Sequence, residues 1–125
     1  MTTSTEIDDD RLHYVLSEEE LTDCERALIE VRGREIGVFF VDGEFYAIGN
    51  HCPHMGGPCA EGMVTGMFDV DEDGEVAFVR DGEIVCCPWH GWQFDLITGD
   101  HLGKSKKRVL TYEVIVRDGD VYVVV

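Results

Sequence analysis

Apolar positions in this chain come in short runs of four to eight, with no sustained helical period. "RLHYVL" (11–16), "RALIEV" (26–31), "REIGVFFV" (34–41) and "EFYAI" (44–48) are rich in β-branched and aromatic residues, the composition of strands. Arg32-Gly33 separates the second from the third and Asp42-Gly43 the third from the fourth, both hairpin-turn signals. "SEEEL" (17–21) predicts one brief helical turn capped by Ser17. Further on, "MVTGMFDV", "DEDG", "EVAFV", "RDG" and "EIVC" (63–86) read as strand, turn, strand, turn, strand. "VLTYEVIV" (109–116) and "VYVVV" (121–125), joined by "RDGD", predict a closing hairpin. The pattern predicts an all-β sandwich or small barrel. Residues 1–11 read as a disordered acidic tail and 12–125 as one domain, the chain being too short for a second.

Composition narrows the function. The formal charge of −16 argues against nucleic acid, whose backbone needs a basic face, and against docking on anionic lipid. No apolar run approaches the roughly 18 residues of a membrane span. The N-terminus has neither a basic n-region nor an apolar h-region, so a cytoplasmic location is expected, where thiols stay reduced. Lysine occurs only at 104, 106 and 107, against 26 acidic residues. Such acidity suits a high-salt cytoplasm or steering toward a basic partner, and the two can coexist. Asp69, Asp71, Asp73 and Gly74 imitate the start of a calcium loop, but Arg80 stands where the bidentate glutamate belongs. An acidic β-turn is expected there.

The chemistry concentrates in two loops, "NHCPHMGG" (50–57) and "CCPWHGWQFD" (86–95). Cys52 and His54 bracket one residue; Cys87 and His90 bracket two. Each loop carries a stiffening proline, Pro53 or Pro88, and each pair is followed by glycine, which lets the backbone turn tightly around whatever is held. One histidine near one cysteine is usually accidental; two such pairs in Gly/Pro loops among strands point to a metal or cluster site. Cys₂His₂ also suits structural zinc. Zinc sites usually pair cysteine with cysteine and histidine with histidine, whereas each loop here mixes the two, which suits a two-iron cluster with both thiolates on one iron and both imidazoles on the other.

"CPH" and "CPWHG", within "VDGEFYAIGNHCPHMGGP" and "CPWHGWQFDLITGD", resemble the Rieske [2Fe–2S] family, in particular Rieske ferredoxins and the Rieske domains of oxygenases. The closing "LTYEVIVRDGDVYV" is similar to the family's final hairpin. The resemblance implies a Rieske-like antiparallel fold with a two-loop cluster-binding subdomain. It implies one [2Fe–2S] cluster, with Cys52 and Cys87 on the buried iron and His54 and His90 on the outer one. It further implies a one-electron carrier with no catalytic residues, between a flavin reductase and a non-haem iron (ring-hydroxylating) oxygenase, docking near His54 and His90. The small subunit of a nitrite-reductase-like enzyme is an alternative, as is a redox-sensing or structural metal-binding module. Residues 55–86 separate the two motifs by about twice the spacing of compact members, an excess assigned to an inserted hairpin at 64–80. High-potential members link their loops by a disulfide where Gly57 and Trp89 stand here. They carry serine and tyrosine hydroxyls where this chain has Trp92 and Phe94, so a low potential is expected. Trp89 and Trp92 are expected to keep water from the cluster, Cys86 to point into the core, His51 to lie at a docking rim, and His13 and His101 to be ordinary surface residues. Cys59 could reach Cys86, though a disulfide is not expected in a reducing compartment; Cys24 has no evident role. Sequence leaves the oligomeric state open.

Overall fold

The computed structural model describes residues 9–125; the greater part of the acidic tail, 1–8, lies outside the described residues. Asp9–Arg11 form a single 3-10 turn. Ten strands follow: β1 Leu12–Ser17, β2 Arg26–Val31, β3 Arg34–Val41, β4 Glu44–Gly49, β5 Met63–Val70, β6 Val76–Cys86, β7 Gln93–Asp95, β8 Thr111–Tyr112, β9 Val114–Arg117 and β10 Asp120–Val124. One helix, α1 Glu18–Cys24, carries the expected cap: Ser17 Oγ accepts from Glu20 N, and Glu20 reaches back to the Ser17 backbone. Such a cap contributes about 1 kcal/mol.

The strands form three antiparallel sheets, ordered β1-β10-β9, β2-β3-β4-β8 and β5-β6-β7. None closes into a barrel. β3 explains the layering. Its Ile36 and Val38 join a core with Val15, Leu21, Val121 and Val123, while its Phe39 and Val41 join another with Cys52, Cys59, Val85, Cys87, Phe94 and Leu96. Side chains alternate across a strand, so a run apolar at nearly every position suits a middle layer covered on both faces. The Arg32-Gly33, Asp42-Gly43 and Asp118-Gly119 turns each put both residues at positive φ, as two-residue hairpins require.

Two sequence expectations fail. Arg80-Asp81-Gly82 is no hairpin turn, for β6 runs through it without reversing. Thr65 pairs with Ile84 and Met67 with Val79, so residues 80–83 bulge opposite Gly66 alone. A Cβ on Gly66 would lie 2.9 Å from Asp81 Cα, so the bulge packs where no side chain stands. Nor is 109–116 one strand: β8 pairs with β4 and β9 with β10, and the chain changes sheet at Glu113. The inserted hairpin is present as β5–β6. It projects Phe68 and Phe78 as a cross-strand pair, 71% and 48% exposed, and turns at 71–75 on Asp71, whose Oδ1 accepts from the Asp73 and Glu75 amides. That carboxylate is occupied by the turn itself, in agreement with an acidic β-turn.

Candidate metal centre

The two Cys/His loops are built alike. In the first, Gly56 N donates to Cys52 O at 2.7 Å and Cys52 N donates to Gly57 O at 2.8 Å. In the second, Gly91 N donates to Cys87 O at 2.9 Å and Cys87 N donates to Trp92 O at 2.7 Å. Each cysteine is thus closed by a glycine four residues on, at φ 80° in Gly56 and 73° in Gly91, a region costly for any residue with a Cβ. The sequence recurrence Cys-Pro-x-x-Gly is the cause of this matched geometry. The loops then meet: a Cβ on Gly57 would lie 2.8 Å from the Trp89 ring and 3.1 Å from Cys87 Sγ. Where the resemblance placed a possible loop-linking disulfide, a glycine lies against an indole, and all five cysteines are free.

Cys52 and Cys87 are each 2% exposed and their thiols interact directly. Burial raises the pKa of the Cys52 thiol and the Cys87 thiol beside it adds to this, while the His54 and Met55 amides, directed at the sulfur, favour the thiolate. A buried thiol whose anion is disfavoured in this way is the environment in which a cation offsets a large desolvation cost. The imidazoles sit further out. His90 is exposed and His54 half-buried, their ring centroids 4.9 Å apart at 83°. His54 Nδ1 is buried with no hydrogen-bond partner, an orphan that a metal would satisfy. Among the described residues no three His, Cys, Asp or Glu side chains gather about a single point. The donors form two pairs, a sulfur pair inside and a nitrogen pair outside, which fits a two-iron group with two protein ligands on each iron.

Several surrounding residues depart from expectation. Trp92 does lie against the centre, its ring stacked 4.2 Å from His54 at 13°. Trp89 is 57% exposed, with its ring against Gly57 beside Cys87. His101 is not an ordinary surface residue. Its ring covers the other face of Trp92 at 4.0 Å and 11°, making a three-ring stack that ends on His54. Burial, then the nearby His54, lower the His101 pKa. Asp95 explains how His101 arrives there. The residue is buried, and its carboxylate takes the Ile97 amide on one oxygen and Arg80 on the other at 2.5 Å, and so folds 95–100 back onto β7. His101 then pairs with Phe94. His13 is likewise half-buried, its Nε2 without a partner. Cys86 is only half-buried and forms no disulfide with Cys59, whereas Cys59 is fully buried behind the thiol pair and donates to Gly49 O at 3.4 Å. His51 is exposed, beside Gly56.

Comparison with known proteins agrees with this geometry. The sequence profile of the Rieske [2Fe-2S] domain matches residues 11–113. The 3-phenylpropionate/cinnamic acid dioxygenase ferredoxin subunit of Photorhabdus laumondii is 32% identical over 113 residues, covering 90% of this chain and 92% of that protein. A Rieske domain-containing protein of Homo sapiens is 33% identical over 88 residues, 70% of this chain but only 48% of its own length. A chain of the complex of reduced oxygenase and oxidized ferredoxin in carbazole 1,9a-dioxygenase superposes with a TM-score of 0.71 over 93% of this chain and 94% of that one, at 23% identity, a likeness of fold.

Proposed function

The chain belongs to the Rieske [2Fe-2S] domain family, and from that premise we propose that it is a one-electron carrier, a ferredoxin whose cluster is held by Cys52, His54, Cys87 and His90. Family members hold one cluster with two cysteines and two histidines. The observation that carries the assignment here is the pair of matched loops, which bring two buried thiols together beneath two imidazoles. When bound, the cluster supplies a centre that gains and loses one electron. The chain's residues do the rest. Cys52 and Cys87 seat the group below the surface. His90, exposed, offers the shortest way out for an electron. Trp92 fixes the plane of the His54 ring.

The electron source is a flavin reductase and the acceptor a non-haem iron oxygenase of the ring-hydroxylating kind; the ferredoxin-subunit relatives support this reading. The carrier works in the cytoplasm, as one domain over 12–125. No helix among the described residues is long and apolar enough to cross a membrane. Trp92 and Phe94 offer no hydroxyl to a cluster sulfur, so the midpoint potential falls toward the low end of the roughly −150 to +300 mV Rieske range.

The test is assembly. Purified or anaerobically reconstituted protein is expected to hold two irons and two acid-labile sulfides per chain, and Cys52→Ser or Cys87→Ser to lose them. Normal visible absorbance in Cys87→Ser would overturn the ligand set, and iron-free protein would overturn the carrier.

A further inference from the structure

The acidity of this protein is not spread evenly, and the exception surrounds the metal centre. Residues 50–60, 86–94 and 101–108 contain no Asp or Glu, so all 26 acidic residues fall elsewhere in the sequence. Those same segments hold His51, His54, His90 and His101, together with every lysine of the chain. "KSKKR" at 104–108 gathers four of the ten Lys and Arg residues into five positions.

The fold brings that stretch to the centre. His101 stacks on Trp92, His101 N donates to Lys107 O at 3.2 Å, and Lys107 Nζ donates to Pro53 O at 3.4 Å, inside the first loop. Lys104, Lys106 and Lys107 make no ion pair among the described residues; Arg108 alone of the four has one, with Asp100 at 3.5 Å. On the first loop's side, the Glu35 and Glu61 carboxylates accept from the Asn50 amide. Apolar side chains complete the face: Met55 is 63% exposed, Trp89 57% and Leu102 36%.

We propose that this face is the basic pole of an otherwise acidic protein, and that the redox partner meeting it presents carboxylates around an apolar seat. The inference rests on electrons crossing at the His54/His90 end. It reverses the simple reading of the charge of −16, which sends the protein toward a basic partner. Net charge governs the field at long range, but within a Debye length, about 10 Å at 0.1 M salt, the local charges decide. On the segment that packs against the histidines those charges are three lysines with no carboxylate partner among the described residues. A second copy of the chain does not fit this role face to face, because like would meet like.

Small oxidants of opposite charge read the sign of the field where the electron leaves. The reduced, cluster-loaded protein is mixed with ferricyanide or with hexaamminecobalt(III), each taking one electron per cluster, and the rate at which the oxidised cluster's visible absorbance returns is followed as salt is raised. Ferricyanide is expected to slow with salt despite the net negative charge. Lys104→Gln/Lys106→Gln/Lys107→Gln should slow it by at least about 10-fold at low ionic strength and speed the cobalt complex, and the difference should vanish near 1 M salt. Lys104→Gln/Lys106→Gln spares the Pro53 contact and should move both rates the same way by less. Arg32→Gln, in the β2–β3 turn, should change neither by more than about 2-fold. Ferricyanide rates that rise with salt, or that ignore the lysine substitutions, overturn the proposal. Failure of the underlying ligand assignment looks different: Cys87→Ser would then load a cluster and reoxidise as the parent does.

Discussion

Gly62 stands where the inserted hairpin meets the second cysteine loop, and adding one methyl there should open the centre. Its φ is an unremarkable −79°, so backbone strain is not the issue. Space is. A Cβ would fall on the carbonyl oxygen of Cys86, 2.7 Å from that carbonyl carbon and 3.2 Å from Pro88 Cδ. An ordinary contact of about 3.4 Å demands that β5 and the end of β6 part by at least about 0.7 Å, more for the oxygen, and backbone cannot swing aside as a side chain does. Arg26 resists the motion, its Nη1 donating to Ala60 O at 3.0 Å and Gly62 O at 2.6 Å. Overpacking of this kind costs about 1–3 kcal/mol, and rigid backbone on both sides places Gly62→Ala at the upper end. With about 2.1 cal/mol/K per residue the unfolding entropy of this chain is about 0.26 kcal/mol/K, so the melting temperature should fall by about 11 °C. Because Cys87 follows directly, iron content per chain should fall too. The control is Gly49→Ala, whose Cβ meets nothing nearer than Leu110 Cβ at 3.6 Å; it should hold or raise stability by up to about 1 kcal/mol. Circular-dichroism melts and iron analysis of both variants decide the matter. Equal melts and equal iron would refute the steric argument.

Other consequences are open to measurement. Burial pushes the Cys59 thiol up to about 12 from its ordinary 9.0. A raised pKa means the neutral form stabilises the fold fully below pH 9, and that contribution is lost as pH climbs from 9 to 12. Urea midpoints of metal-free protein should therefore drop faster over that window than those of Cys59→Ala, by up to about 1.4 kcal/mol per pH unit; parallel profiles would count against it. His101→Ala removes the outer ring of the stack and should speed cluster loss to a chelator by about 10-fold, with His101→Phe restoring the parental rate. A leucine restoring it equally would show that bulk, not a flat ring, is what matters.

The strands and the Cys/His loops were legible because both depend on local chemistry. Alternation and β-branching mark the strands, and Cys-Pro-x-x-Gly marks the loops. The misreadings share a cause. Arg80-Asp81-Gly82 carries the same turn signal as Asp42-Gly43, and Arg80 and Gly82 do adopt positive φ. Whether such residues reverse the chain or bulge depends on what stands opposite, here Gly66, which lies far enough along the sequence to escape a local pattern. The break at Glu113 is likewise decided by which sheet has a free edge. His101 gave no signal at all. Its place beside Trp92 follows from Asp95 and Arg80 fastening the intervening turn, a relation between side chains that the flanking sequence does not advertise.

The double-faced β3 has a last consequence. Ile36 and Val38 look toward one layer, Phe39 and Val41 toward the other, and only the latter layer contains the thiols. Loss of iron would slacken the pocket-side half while the opposite half keeps its shape. The scaffold can therefore wait, already folded, for its cargo, and an emptied molecule is a candidate for refilling rather than for disposal.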